Sequence, residues 1–374
     1  MSVKILLWKE AVKGEIPANP QCYVLKAESF GIKVAQASET NTLLGSGRGA
    51  DRKTYGTDTV SGDIPIIWDT DNAPIFMHHA IGAPTAVANA TVDAWAATTL
   101  YAKGDMVNHS NGTHTLVCRI AGTSGAAEPA ITTQLRGDII GDATATWILM
   151  PLLKRYTGER ADALESFGVE VADTNGTTAF SRYLGLHINS LPLSVAGGTI
   201  GIKSSLGILG MTKEDSDLDA TYEEMSAKTG FAESPLESDF YSLDSCTFEL
   251  NGSTAEVTTG FDMTISNNVT MEDALNNKKV ENIGQVVNDG NINLLFDAQV
   301  YKDAADHVDQ AIKLTFAKAN GCKMIVNFPT VAMDKIDKVF ETNKNTMLSI
   351  PVSAFDTNVE KSITYEVISP LQSY

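Results

Sequence analysis

Apolar and polar positions alternate through most of this chain, and one alternating stretch occurs twice. Gly62-Asp63-Ile64-Pro65-Ile66-Ile67-Trp68-Asp69 returns, at a constant offset, as Gly290-Asn291-Ile292-Asn293-Leu294-Leu295-Phe296-Asp297. Ile64, Ile66 and Trp68 share one face of a strand, as do Ile292, Leu294 and Phe296, so each copy predicts a strand closing over an apolar core. A helix is expected after each. In the first copy Asn72 reads as the cap, Pro74 sits in the opening turn where its missing N–H costs little, and Gly82 is the stop. In the second, the stripe Tyr301, Ala305, Val308 and Ile312 predicts a helix over 301–312. A further echo, Phe30-Gly31-Ile32-Lys33-Val34 against Phe261-Asp262-Met263-Thr264-Ile265, lies upstream of both copies. The pattern points to two related β-rich domains made by duplication.

The remaining alternation sets the expected boundaries. Strands are predicted at Tyr23 to Lys26 and Phe30 to Val34, followed by a polar hairpin arm from Ala37 to Ser61. After the first helix the texture changes: residues 91–150 are rich in Thr, Ala and Gly, carry a turn signal every few residues, and read as a module of short strands. Past Met150-Pro151 the first domain resumes with strands at Phe167 to Val171 and Tyr183 to Ile188. That domain is therefore expected over 1–90 and 151–210, interrupted at a loop tip by a module whose two ends are neighbours. Residues 211–240 hold the densest acidic run, Glu214-Asp215-Ser216-Asp217-Leu218-Asp219 and then Glu223-Glu224, and are expected to form a solvated linker. The second domain follows over 241–374, with strands at Cys246 to Leu250, Ala255 to Ile265, 290–297, Ile312 to Phe316, Lys323 to Phe328 and Ile363 to Val367.

At 374 residues, 43% hydrophobic and 20% charged, the chain has ample material for real cores. Its four cysteines are scattered with no Cys-x-x-Cys, which argues against a disulfide framework or a zinc knuckle. No apolar run suits a signal peptide or a membrane span, so synthesis and residence in the cytosol are expected unless the chain leaves in a larger particle. A net charge of −18 repels nucleic acid, since binding phosphates needs clustered Lys and Arg. Candidate chemistry is sparse. Gly45-Ser46-Gly47-Arg48-Gly49 lacks the Gly-Lys-Ser/Thr of a phosphate cradle. Asp215-x-Asp217-x-Asp219 has Ala220 and Ser226 where a calcium loop needs Gly and Glu. His78 and His79 are adjacent and point apart on a helix, so they do not share a metal as an i, i+4 pair would. No hydrolase or dinucleotide signature is present, and neither enzyme activity nor a cofactor is expected.

Within 91–150, the spacing from Trp95 through Tyr101 to Gly104-Asp105, closed by Trp147, resembles small β modules related to the type 5/12 chitin-binding family. That likeness implies a sugar site at Trp95, Tyr101 and Trp147, because exposed rings stack on pyranose faces. Yet Ala130, Ile131 and Leu116 stand where aromatic residues are expected, so these rings read as core in preference to platform.

Outside 91–150 the ordered set of Val60-Ser61-Gly62-Asp63-Ile64, Leu184 to Leu191, Ile265-Ser266-Asn267-Asn268-Val269, Gly290 to Asp297 and Phe328-Pro329 resembles tail tube proteins of phages with long non-contractile tails (siphoviruses). The resemblance implies a mainly β fold, two tail-tube β-sandwiches each with a flanking helix, and a virion protein whose rings stack into a conduit for DNA ejection. Implied partners are the chain itself, tape measure, tail terminator and tail tip proteins, and viral DNA passing without specific binding. Two tube domains per chain favour homotrimeric, pseudo-hexameric rings over a homohexamer. The module would decorate the outside and meet host-surface glycans. Asp63, Asp69, Glu170 and Asp262 are acids considered for an anionic inner wall. The alternative is a carbohydrate-binding adhesin or surface decoration protein.

Overall fold

The structure is a computed structural model describing residues 3–40, 53–91, 93–173, 179–196, 201–219, 221–237, 239–242, 246–255, 258–274, 278–336, 347–372 and 374. Gly45 to Gly49 and Ala220 lie outside the described residues. Period-two patterning decides how each strand lies. In Met347–Ala354, Leu348, Ile350, Val352 and Ala354 are buried while Met347, Ser349, Pro351 and Ser353 face out. Thr258–Ser266 does the same with Phe261, Met263 and Ile265 turned inward. Each such side chain contributes about 1.5–3 kcal/mol by leaving water.

The two repeated strands occupy matching places. Lys53–Ile67 lies between Lys33–Thr40 and Lys203–Gly210, all antiparallel, and Lys203–Gly210 pairs onward with Ala179–Ala196. Val287–Leu295 lies between Thr258–Ser266 and Met347–Ala354, which pairs onward with Lys323–Met333. The registers agree as well. Lys33 faces Ser61, which brings Ile32 to Gly62, and Met263, the counterpart of Ile32, faces Gly290. On the other side Gly62 faces Ile208 and Gly290 faces Val352. Both glycines are needed for a close backbone approach. A Cβ on Gly62 would collide with the Gly31 carbonyl and lie 2.7 Å from the Ile32 Cα; on Gly290 it would collide with the Asp262 carbonyl and lie 2.7 Å from the Met263 Cα.

The two four-strand units meet edge to edge, residues 190–196 pairing with 260–266, so eight strands run side by side. A second layer packs on them. Val3–Lys9 and Phe167–Asp173 pair beside the first half of Ala179–Ala196. Cys246–Leu250 and Gln310–Ala317 pair beside Lys323–Met333. One core, including Ile64, Trp68, Phe167, Phe261, Ile292 and Phe328, runs between the layers through both units.

Three expectations change. The first helix is Asn72–Ala80, with Asn72 its first residue and not its cap; Asp69 Oδ1 instead accepts the N–H groups of Asp71 and Asn72 at 2.9 and 2.7 Å. The second helix is Ala298–Ala305, capped by Asp297, whose side chain accepts from Gln299 and Val300. It ends before Val308 because Gln310, Ile312, Leu314 and Phe316 alternate inward in a strand, and four positions at period two outweigh a helical stripe. The acidic stretch 211–240 is folded in part. Thr212–Asp215 pairs with residues 181–184, and Ala232–Pro235 runs parallel to Gln21–Leu25, its acids having found cationic partners.

Residues 91–150 hold a four-stranded sheet in the order Ile139–Asp142, Ala145–Pro151, His114–Ile120, Met106–Asn108. They enter between the first helix and Phe167, on a stem of Ala86–Asn89 and Lys154–Glu159 that pairs onward with Thr364–Ser369. In the second unit residues 306–309 alone bridge the same gap. The stem is not the whole attachment: Val117, Met150 and Leu153 pack with Cys322 and Ile368. Arg136 also donates to Asp71 (3.0 Å) and Thr70 (2.8 Å) at the start of the first helix.

Candidate assembly surfaces

Among the described residues Lys33–Thr40 pairs on one side only, with Lys53–Ile67. Its Val34 is 36% exposed, whereas the counterpart Ile265 is 1% exposed because Leu191 lies opposite. The far end of the eight-strand run is Lys323–Met333. There a buried Met333 is followed by outward Asp334 and Lys335 and by Ile336 packed on the core, just as buried Ile188 is followed by Asn189, Ser190 and buried Leu191. The chain thus carries an unpaired edge at one end and, at the other, the start of a segment patterned like the one that covers that kind of edge.

The face of the eight strands turned away from the core is polar. Asp63 and Asp289 are exposed and Asp262 half-buried. Asn291 donates to Asp262 at 3.2 Å and Ser353 to Asp289 at 2.6 Å, linking neighbouring strands. Ser194, Ser205 and Ser349 continue that face, as does Lys203, paired to Glu28. Asp69 and Glu170, considered from sequence for the same wall, are 2% and 1% exposed and belong inside. Burial pushes the Asp69 carboxyl up to about 7. Glu170 instead binds Arg182 at 2.9 Å, Tyr222 at 2.6 Å and the Met225 N–H at 3.0 Å.

The three ring residues singled out from sequence are brought together within 91–150. Trp147 is fully buried, Tyr101 is buried, and their centroids stand 4.9 Å apart. Trp95 is half-buried, and both indole N–H groups donate to Asp142, at 2.8 Å from Trp95 and 3.0 Å from Trp147. Burial supports the reading as core. Sequence reasoning missed Asp142 and Arg136; two indoles needing an acceptor near Gly141-Asp142 was the available signal for the first.

His78, His79 and His187 fill buried positions. His78 Nε2 lies 2.7 Å from Glu165, His79 Nδ1 lies 2.9 Å from the Glu165 carbonyl, and His79 also meets the Tyr374 hydroxyl. His187 sits 3.1 Å from Glu281, which Lys13 also contacts, fastening hairpin 269–283 to the first unit. Burial drops His187 to about 4, so its stabilising contribution is complete above the unfolded value near 6.5 and is lost as pH falls toward 4. Raised Asp69 acts oppositely, gaining stability as pH falls below 7, so the effect is isolated by difference. The stability advantage of wild type over His187→Gln is expected to shrink by roughly 3 kcal/mol between pH 6.5 and 4, read from urea melts. An advantage independent of pH would contradict a buried neutral His187.

Among the described residues no cluster of His, Cys, Asp or Glu suits a metal ion. Among the same residues no helix is long and apolar enough to cross a membrane. Prominent instead are an open sheet edge, a broad polar sheet face and two four-strand sets in matching register, a mainly β fold with surfaces suited to association. A model of the phage tail tube protein family matches residues 2–364, and the chain belongs to that family. It is accordingly a tail component of the virion that assembles with itself into a tube and associates with other tail proteins. A search of curated proteins finds no match.

Proposed function

We propose that three copies of this chain close into a ring by adding the open edge of one to the far end of the next, and that these rings stack into the conduit through which phage DNA leaves. The observation carrying this reading is the equivalence of the two units: inside one chain residues 190–196 already cover the first strand of the second unit. Repetition of that junction between chains covers Lys33–Thr40 with the segment following Met333. Three chains then supply six units and 24 strands, whereas six chains would supply twice what a sixfold ring needs. The duplication therefore favours a homotrimer over a homohexamer, with 1–90 plus 151–210 as one tube domain and 241–374 as the other.

The polar outer face of the eight strands becomes the bore. Asp63, Asp262 and Asp289 repel DNA phosphates, and Ser and Asn offer no fixed cation, so contact stays weak along the wall. Residues 91–150 sit on the second layer, through the stem on Thr364–Ser369, and so project from the tube exterior. Tape measure, terminator and tip proteins would meet the exposed rims. The non-contractile tail type follows from the resemblance in sequence alone, and Trp147 and Tyr101, buried, with Trp95, half-buried, lend no support to the adhesin reading.

Cysteines at Val34 and Ile336 test the closure. Oxidation of the assembled double variant is expected to give covalent trimers, with rings having a central hole by negative-stain microscopy. Covalent hexamers would overturn the count, and a monodisperse monomer at high concentration would overturn the tube.

A further inference from the structure

The two units carry different chemistry at one buried position of their repeated strand. Gly62 and Gly290 are counterparts, so Val60-Ser61 in the first unit answers to Asn288-Asp289 in the second. The pairing agrees, for Gly210 faces Val60 and Ala354 faces Asn288. Val60 and Asn288 are each 1% exposed. Val60 fills its place with hydrocarbon, packed against Gly210, whose missing side chain leaves it room. The fold therefore accepts an apolar residue here, and the amide of the second unit calls for a separate reason.

That amide is only half satisfied. Asn288 Nδ2 donates to the Ser362 hydroxyl oxygen at 3.0 Å, whereas Oδ1 has no hydrogen-bond partner. Asp356 fixes this orientation. It holds both the Ser362 hydroxyl and the Ser362 N–H (2.7 Å), so the hydroxyl spends its proton there and its oxygen accepts from Asn288. A buried acceptor left alone is costly unless something donates to it.

Asn288 lines a hollow of about 450 Å³ between the root of hairpin 269–283 and residues 353–356. Val286, Val287, Ala354 and Phe355 give it apolar walls. Its charged residues are Asp289, Asp356 and Arg160. Arg160 is spent on Asp356 at 2.7 Å and on Asp162 at 2.9 Å, while Asp289 is exposed beside the Asn288 amide. Two carboxylates outweigh one guanidinium, so the hollow attracts a cation. A lone acceptor asks for a donor, the excess carboxylate for positive charge, and the apolar walls for a hydrocarbon stem.

We propose that this hollow binds a primary ammonium group on an alkyl stem. The ammonium donates to Asn288 Oδ1 beside Asp289, and the methylenes lie against Val286 and Phe355. Two sources share that chemistry: a free aliphatic diamine, and a lysine side chain of another copy of the chain. The site itself is built within one chain and does not depend on how rings close.

Equilibrium dialysis of 1,4-diaminobutane against the dilute full-length chain tests this. A protein of net charge −18 also gathers diamines loosely over its surface, so the informative variant leaves charge alone. Asn288→Val installs the residue that the first unit already bears at that register and removes the acceptor. Wild type is expected to show one saturable site per chain, weakened by about tenfold or more in Asn288→Val. Asp289→Ser, which matches Ser61, is expected to weaken it by about threefold at low salt and less at high salt. Both variants should melt as wild type does, since the same fold carries Val and Ser in its other unit. Loss of diamine binding on assembly would identify a neighbouring copy's lysine as the occupant, and retention would identify a free amine; either outcome supports the site. Absence of a saturable site in the dilute wild-type chain, or equal binding by Asn288→Val, overturns it.

Discussion

Replacing Gly290 by alanine is expected to destabilise the protein by ~3 kcal/mol or more, among the largest effects of any single methyl group in the chain. The added carbon meets backbone, the Asp262 carbonyl and the Met263 Cα, and backbone does not rotate aside as a side chain would. Relief requires Thr258–Ser266 to move away from Val287–Leu295. That strand also forms the junction with residues 190–196, so damage crosses from one unit to the other. Gly62→Ala is expected to be comparably harmful, since its Cβ meets Gly31 and Ile32 in the same way and its φ of 153° adds strain. Gly141, where an added methyl group would meet nothing within 4 Å, is the control and should change stability by less than about 0.5 kcal/mol. Urea unfolding followed by tryptophan fluorescence measures all three. A Gly290→Ala loss below about 1 kcal/mol would mean the two strands are not this close.

Glu170→Ala is the second large effect, expected at about 3–5 kcal/mol, because it strands a buried cation. The Arg182 side chain is 3% exposed, and Glu170 is its buried anionic partner; Glu214, its other one, is half in water. The same carboxylate holds the Tyr222 hydroxyl and the Met225 N–H, so its loss also frees the acidic stretch. Limited proteolysis is expected to cut first between 214 and 225 in the variant and elsewhere in wild type. A joint Glu170→Met and Arg182→Met change, removing both charges, should recover much of the loss, as apolar replacement of a buried pair commonly does. Equal damage from the single and double variants would argue against an uncompensated charge as the cause.

Much of the strand architecture was readable from the chain because alternation is a local property. Cys246–Leu250 matches its expected bounds, and Phe167–Asp173, Gln310–Ala317 and Thr364–Ser369 differ from theirs by a few residues. The second helix was misplaced for the same local reason: Tyr301, Ala305, Val308 and Ile312 satisfy a helical spacing, and only packing against Lys323–Met333 makes the competing period two prevail. Acidity misled over 211–240. Charge density predicts solvation when partners are absent, but Glu214 finds Arg182 on a strand that the fold brings alongside, and Asp215 pairs with Lys213 two residues away in its own strand.

By itself, then, the amino-acid sequence determined the faces of the strands and the recurrence of the 62–69 stretch at 290–297, both properties of short stretches with a fixed period, whereas the need for glycine at positions 62 and 290 came from the neighbouring strands that pack against them. Tertiary structure decided which acids are sealed and which face out, for Asp69 and Glu170 differ from Asp63 and Asp262 only in what distant segments lay over them. It also decided which edge is left open. That depends on whether a particular strand finds a neighbour, and pairing between remote segments leaves no trace in the periodicity of either.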